Sequence, residues 1–317
     1  AALMGGGGAG AADERGLPQG DAVRHDRHQR PPQPLQDGDA RLWRAFAVGT
    51  AVGVSLAGLF NPADRALYLM VTHHRPFLSR ANFDRPWQGF SQAVVVRTIS
   101  GGMFYPLFDA WQRAATAALG GATASGPGSR QHLVDVAAGQ LAGVSIAVGM
   151  NPLNAVKYCM WEKHYPTLYQ TAGHMWCAGG VSAFTKGMQA TAVRDAIFGG
   201  VYAACRSAGG AIGSDGRAPR GSLPLDLAAA SAATVLSSPV NYARNMSFHS
   251  PAGEAAPGIG HSLRHLWRDA QKQRLAHGAR AAAGYLQLRL GLGWGTARVG
   301  LGMSLGQQMY DAAMRIG

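Results

Sequence analysis

The sequence predicts an all-α membrane protein of three tandem repeats with two transmembrane helices each, a pseudo-threefold six-helix bundle with short surface helices on one side. Two patterns carry the prediction. Residues 45–63, 136–156 and 227–243 are uncharged over 19, 21 and 17 residues, close to the roughly 20 that cross a bilayer as a helix. Each run holds a proline late in its length, Pro62, Pro152 and Pro239, and each is expected to kink its helix, because proline removes one hydrogen bond and clashes with the preceding turn. Alternating with them are three apolar segments, 86–108, 187–205 and 290–310, each with an arginine near its middle: Arg97, Arg194 and Arg298. A charge at mid-membrane is costly and faces a bundle interior or a water cavity.

The elements follow in order. Residues 1–42 form a polar Gly/Pro-rich tail that opens with MGGGGAG and continues with Pro, Gln, Asp, Arg and His. Such a composition buries no core of its own and reads as unstructured unless a partner surface holds it. MGGGGAG is no phosphate loop, because no Gly-Lys-Ser/Thr follows. A first residue of Ala rather than Met fits removal of a leader, and no secretory hydrophobic region is visible. Repeat 1 occupies 43–118, repeat 2 133–210 and repeat 3 223–317. Their prolines are 90 and 87 residues apart and their arginines 97 and 104, which is the signature of one unit copied three times. The connections inside the units are basic. The first holds His73, His74, Arg75, Arg80 and Arg85; the third, over 261–286, reads as a basic amphipathic helix lying on a membrane surface.

Composition narrows the function. Charged residues are 15% of the 317, against roughly 25% in soluble domains, and 44 glycines suit helices that approach closely in lipid. Mean hydropathy, −0.04, is low for a membrane protein, and the polar tail contributes to that. The net charge of +12 fits anionic lipid or an acidic solute. No zinc-finger spacing, aromatic–basic RNA motif or dense basic arm is present, which argues against nucleic acid. Cys159, Cys177 and Cys205 are odd in number and lack a C-x-x-C, so neither a disulfide framework nor a metal site is expected. Without a nucleophile elbow, a P-loop or metal-spaced histidines, the chain does not read as an enzyme and no cofactor is expected. His73 and His74 are adjacent and read as surface histidines of a basic loop.

Within the repeats, NPLNAVKYCMWEKHYP followed by AFTKGMQATAVRDAIFGGVYAAC, SSPVNYARNM followed by GLGWGTARVGLGMSLGQQMYDAAM, and FNPADRALYL followed by PWQGFSQAVVVRTISGGMFYPLFDAW stand in register. Over about residues 43–315 the chain resembles the mitochondrial carrier family. That resemblance implies a six-helix bundle of the inner mitochondrial membrane, both termini toward the intermembrane space, exchanging a small anionic or amino-acid solute by alternating access. It also implies surface helices on the matrix side and bound cardiolipin, with Gly89, Gly187 and Gly291 at helix N-termini presenting amides to lipid phosphates. The substrate positions it implies fall on Arg97, Arg194 with Asp195, and Arg298, eight, seven and seven residues after those glycines. Asp195 would receive an ammonium and the arginines carboxylates; equally, Arg194 and Asp195 satisfy each other.

The chain departs from the family pattern at its gates. On the matrix side Asp64 keeps the acid but Leu67 replaces the base; Asn154 and Asn241 replace acids before Lys157 and Arg244. On the intermembrane side only Asp109, Arg206 and Asp311 remain of an acid–base ring. From proline to glycine the repeats span 27, 35 and 52 residues, and the first is too short for a full surface helix. Two readings stay open: a carrier with degenerate gates, or a carrier-derived structural subunit of a respiratory complex whose other subunits hold the tail.

Overall fold

The computed structural model describes residues 35–118, 129–163, 165, 167–212 and 223–316, and residues 41–317 form one compact unit. Among the described residues the architecture is all-helical, without a strand. In chain order the helices are α1 (Leu35–His73), α2 (Phe90–Ala118), α3 (Ser129–Gly149), α4 (Asn151–Lys163), α5 (Leu168–Thr185), α6 (Met188–Ile212), α7 (Leu223–His249), α8 (Ile259–His277), α9 (Ala279–Arg289) and α10 (Trp294–Ile316). The expected tail lies outside the described residues up to residue 34. Residues 35–42 are helical, not unstructured. Pro31, Pro32 and Pro34 precede this start.

Among the described residues one helical stretch, Phe46–His73, is long and apolar enough by itself to cross a membrane. Val136–Gly149 and Asn151–Lys163, bent by 54° where they meet, make a second if taken as one span. In α2, α6 and α10 the central arginine lowers the hydropathy, and in α7 Ser, Thr, Pro239 and Asn241 do.

Pro152 stands in the first turn of α4, where proline's missing N–H costs nothing, and the chain bends by 54° between α3 and α4. Pro62 and Pro239 sit inside continuous helices. At Pro239 the carbonyl of Val235 loses its helical partner and accepts from the Ser238 hydroxyl instead, at 2.7 Å.

The residue before each of the first two prolines is an asparagine with one job. Asn61 Nδ2 donates to the carbonyls of Pro86 and Gln88 at 2.8 and 3.2 Å. Asn151 Nδ2 donates to those of Phe184 and Lys186 at 3.0 and 2.9 Å. Each amide thus clasps the strap that ends at Gly89 or Gly187. The third repeat has Ser238 at this position.

The straps differ as their lengths predict. Repeat 1 has no surface helix among the described residues, only a 3₁₀ turn at Arg80–Phe83, held by Arg65 Nη1 on the Asn82 carbonyl (2.7 Å) and by Asn82 on Pro76 and Phe77. Repeat 2 has α5, capped by Thr167 and broken at Gly180 (φ 56°). Repeat 3 has two surface helices where one was expected over 261–286, because Gly278, at φ 87°, turns the chain between α8 and α9.

The long helices pack in sequence: α2 on α3, α3 on α6, α6 on α7, α7 on α10. α10 returns to α1, its Gly295, Gly302 and Gly306 facing Leu67, Phe60 and Leu56; α1 meets α2 where Gly53 faces the stem of Arg97 and Gly58 the ring of Phe90.

Candidate functional site

The charged groups singled out by the sequence meet near the middle of this packing. Asp64, on α1, takes Arg298 of α10 in a two-pronged pair: Oδ1 to Nε and Oδ2 to Nη2, both 2.5 Å. Both side chains are partly covered, 34% and 17% exposed. The expected matrix-gate acid therefore neutralises an expected substrate arginine, because α1 and α10 face each other across their glycines. Arg194 pairs with Asp195 on α6, so of the two uses open to this pair the mutual one is realised. Arg97 lies within electrostatic range of Arg298 and Asp64 and has no hydrogen-bond or ion-pair partner among the described residues. Lys157 senses Asp64, Arg244 and Arg97, and Arg244 senses Arg194, Asp195 and Asp64. Five cations and two carboxylates form one electrostatic cluster.

Below it the ends of α1, α4 and α7 close on aromatic rings. Tyr158 stacks on Phe248 with centroids 4.5 Å apart and lies 4.7 Å from Tyr68; Trp161 meets Tyr158 edge-on at 5.1 Å and Tyr68 at 5.8 Å. All four are buried. Lys157 Nζ lies 4.9 Å from the Trp161 ring, and Arg244 Nη2 donates to the Tyr158 hydroxyl at 3.0 Å. The two gate bases that lost their carboxylates thus rest on a tyrosine and a tryptophan, a cation–π use of the same charge. Asn241 carries a buried Oδ1 without a hydrogen-bond partner, and Asn154 is half-buried. Neither replaces the missing acids by an ion pair.

Gly89, Gly187 and Gly291 all have left-handed φ, 78°, 69° and 66°, and their carbonyls accept the N–H four residues on, at Ala93, Thr191 and Gly295. Beside Gly187 a cleft of about 440 Å³ is lined by Ser182, Lys186, Gln189, Ser247 and Glu254. Lys186 spends its ammonium on the Ser250 carbonyl and hydroxyl, at 3.3 and 3.2 Å, and on the Pro251 carbonyl. Burial pulls it below the ordinary lysine value, and Glu254 opposes that.

On the far side Asp109 is exposed; the side chains of Arg206 and Asp311 lie outside the described ones. Interhelical ties there come from Trp111 Nε1 on the Ser145 hydroxyl (3.1 Å), Tyr202 on Asp226 (3.3 Å), and Arg44 on the carbonyls of Ala313 and Met314.

The sequence reading missed the rings and one further cluster: His73, Glu162 and His249 come together at the ends of α1, α4 and α7. His73 is therefore more than a loop histidine. A register count held the signal. Tyr68 and Tyr158 each follow their proline by six residues, Trp161 and Phe248 by nine, and Glu162 and His249 by ten.

Comparison with protein-family models finds no match, and comparison with curated proteins finds none.

Proposed function

We propose that the chain is a carrier-type protein of the inner mitochondrial membrane, its six long helices spanning as a pseudo-threefold bundle, and that it moves a small anionic or amino-acid metabolite. The observation that carries this reading is the cluster of five cations against two carboxylates, with Arg97 unpartnered among the described residues. An excess of positive charge inside a helical bundle is stabilised by an anionic guest. Arg97 and Arg298 would hold a carboxylate, and the Arg194–Asp195 pair would open to a zwitterion. Exposed apolar side chains on every long helix support the spanning arrangement: Leu59, Val95, Leu141, Val193, Leu236 and Leu301 are each exposed. Cardiolipin binding at the three glycine N-termini belongs to the same reading.

The test is uptake into liposomes reconstituted with the purified protein, screened over amino acids and dicarboxylates. Arg97→Ala should abolish uptake while the protein stays folded. Uptake by the variant equal to wild type would remove the assignment.

A second reading is favoured by the aromatic seal. Its four ring contacts contribute about 2–6 kcal/mol beyond area burial, at ~0.5–1.5 kcal/mol each, and an ion-pair gate carries no such term. A bundle closed that firmly suits a structural subunit of a respiratory complex, with other subunits held by the N-terminal tail. Purification in mild detergent separates the two. A free particle of carrier size supports transport, and stoichiometric co-migration with a large assembly supports the structural role.

A further inference from the structure

We propose that His73, Glu162 and His249 form a binding site for a divalent transition cation of the zinc class, one that clamps together the ends of α1, α4 and α7. His73 Nε2 lies 3.2 Å from Glu162 Oε2, and His249 Nδ1 lies 3.1 Å from the same oxygen. All three ligand atoms lie within 4.8 Å of one another. Zinc takes nitrogen and carboxylate oxygen at about 2.0–2.2 Å, so tetrahedral ligands stand roughly 3.3–3.5 Å apart. Two edges of the ligand triangle are already close to that separation, and rotation of the two histidines, which meet edge to face with centroids 5.7 Å apart, sets the third.

Two imidazoles and one carboxylate are a donor set that zinc accepts, leaving a fourth position for water. Access fits as well. Glu162 is mostly covered, with 12% of its side chain exposed, while His73 and His249 keep 29% and 38%. An ion enters from the histidine side and meets the carboxylate at the back.

The placement gives the site a purpose. Each ligand comes from a different repeat: His73 ends α1, Glu162 is next to the end of α4, and His249 ends α7. His73 stands eleven residues after its proline, the other two ten. The site caps the aromatic seal, since Glu162 follows Trp161 and His249 follows Phe248 directly in sequence. A bound cation holds the three helix ends at one point, the task that interlocking ion pairs cannot perform with one carboxylate. This inference stands on the cluster alone and does not require transport.

The experiment uses the full chain in detergent. Zn²⁺ alone is titrated calorimetrically after EDTA treatment, the metal content of untreated protein is measured, and Tm is followed with and without Zn²⁺. One high-affinity site per chain and a Tm that rises with Zn²⁺ and falls with EDTA are expected. His249→Ala should weaken binding at least ~10-fold, the lower end of what even an outer-shell change costs. Glu162→Gln keeps an acceptor for both histidines but loses the charged ligand, and should weaken binding while its circular dichroism matches wild type. His277→Ala, an exposed histidine on α8, should change nothing. The proposal is overturned if Zn²⁺ leaves Tm unmoved, or if His277→Ala reduces binding as much as His249→Ala does. It is equally overturned if Glu162→Gln binds like wild type, since Glu162 is then only a hydrogen-bond hub for two histidines.

Discussion

Replacing each of the three strap glycines by alanine tests how alike the repeats are in energy. All three have positive φ, between 66° and 78°, so a side chain at any of them costs about 1–2 kcal/mol in backbone strain. The unfolded chain returns ~0.4–1 kcal/mol of this, because alanine has fewer conformations to lose than glycine. What differs is the space a Cβ meets. At Gly187 it lies 3.0–3.3 Å from three carbons of the Phe248 ring, and that ring is buried and stacked on Tyr158. At Gly89 it lies 2.9 Å from both Lys157 Cγ and Trp161 Nε1. The lysine stem yields, but the indole is held by its 2.7 Å bond to the Gln88 carbonyl. At Gly291 the nearest atoms are 3.8 Å away, an ordinary contact. Overpacking adds about 1–3 kcal/mol where neighbours cannot move. We expect Gly187→Ala and Gly89→Ala to destabilise by about 2–4 kcal/mol and Gly291→Ala by about 1 kcal/mol. Denaturant titration of the three variants in one detergent, followed by tryptophan fluorescence, measures the order. A Gly291→Ala cost equal to or above the other two would refute the reasoning.

Two further outcomes are expected. A double-mutant cycle of Asp64→Asn and Arg298→Gln should give a coupling of about 1–3 kcal/mol, between exposed and fully buried pairs, and Asp64→Asn should be the costlier single change, because it leaves Arg298 and Arg97 facing each other; equal single costs, read by the same titration, would contradict that. Asp269 feels burial pushing its carboxyl up, but a hydrogen bond from Lys272 and the charge of His265 outweigh it, so its folded value is depressed; its stabilising effect is therefore present above the unfolded value of ~3.9 and lost as pH falls through the lower folded one. Asp269→Asn should accordingly lower Tm at pH 7, and the gap to wild type should close as the medium is acidified below about pH 4.

The helices were legible because their signals are local. The uncharged runs around Pro62 and Pro239 are helical throughout and the one around Pro152 is helical but for Met150, and the 27-residue first spacing shows as a missing surface helix. What stayed hidden depends on residues brought together from different repeats. Tyr68, Trp161 and Phe248 are each an ordinary apolar position when read alone, and only packing makes them a seal. The motif reading put Asp64 in a gate and Arg298 in a cavity; geometry joined them, because side-chain reach across α1 and α10 ignores motif roles. The Ser238 hydroxyl on the Val235 carbonyl, which takes the place of the bond lost at Pro239, was hidden for a similar reason.

The contact between α1 and α10 has a consequence of its own. Every other neighbouring pair of long helices is tethered by chain running between its members or their repeats, whereas these two come from opposite ends of the sequence. Two arginines stitch them at different heights, Arg44 on the last carbonyls of α10 and Arg298 on Asp64, while Arg289 at the end of α9 ties α1 to α7 through the Val71 carbonyl and the Tyr242 hydroxyl, the latter at 3.0 Å. The helix packing thus has one unsewn edge fastened by reversible snaps. Anything that competes for guanidinium groups there, such as phosphate-rich headgroups or high guanidinium chloride, should loosen this edge before the others and free α1 from α10.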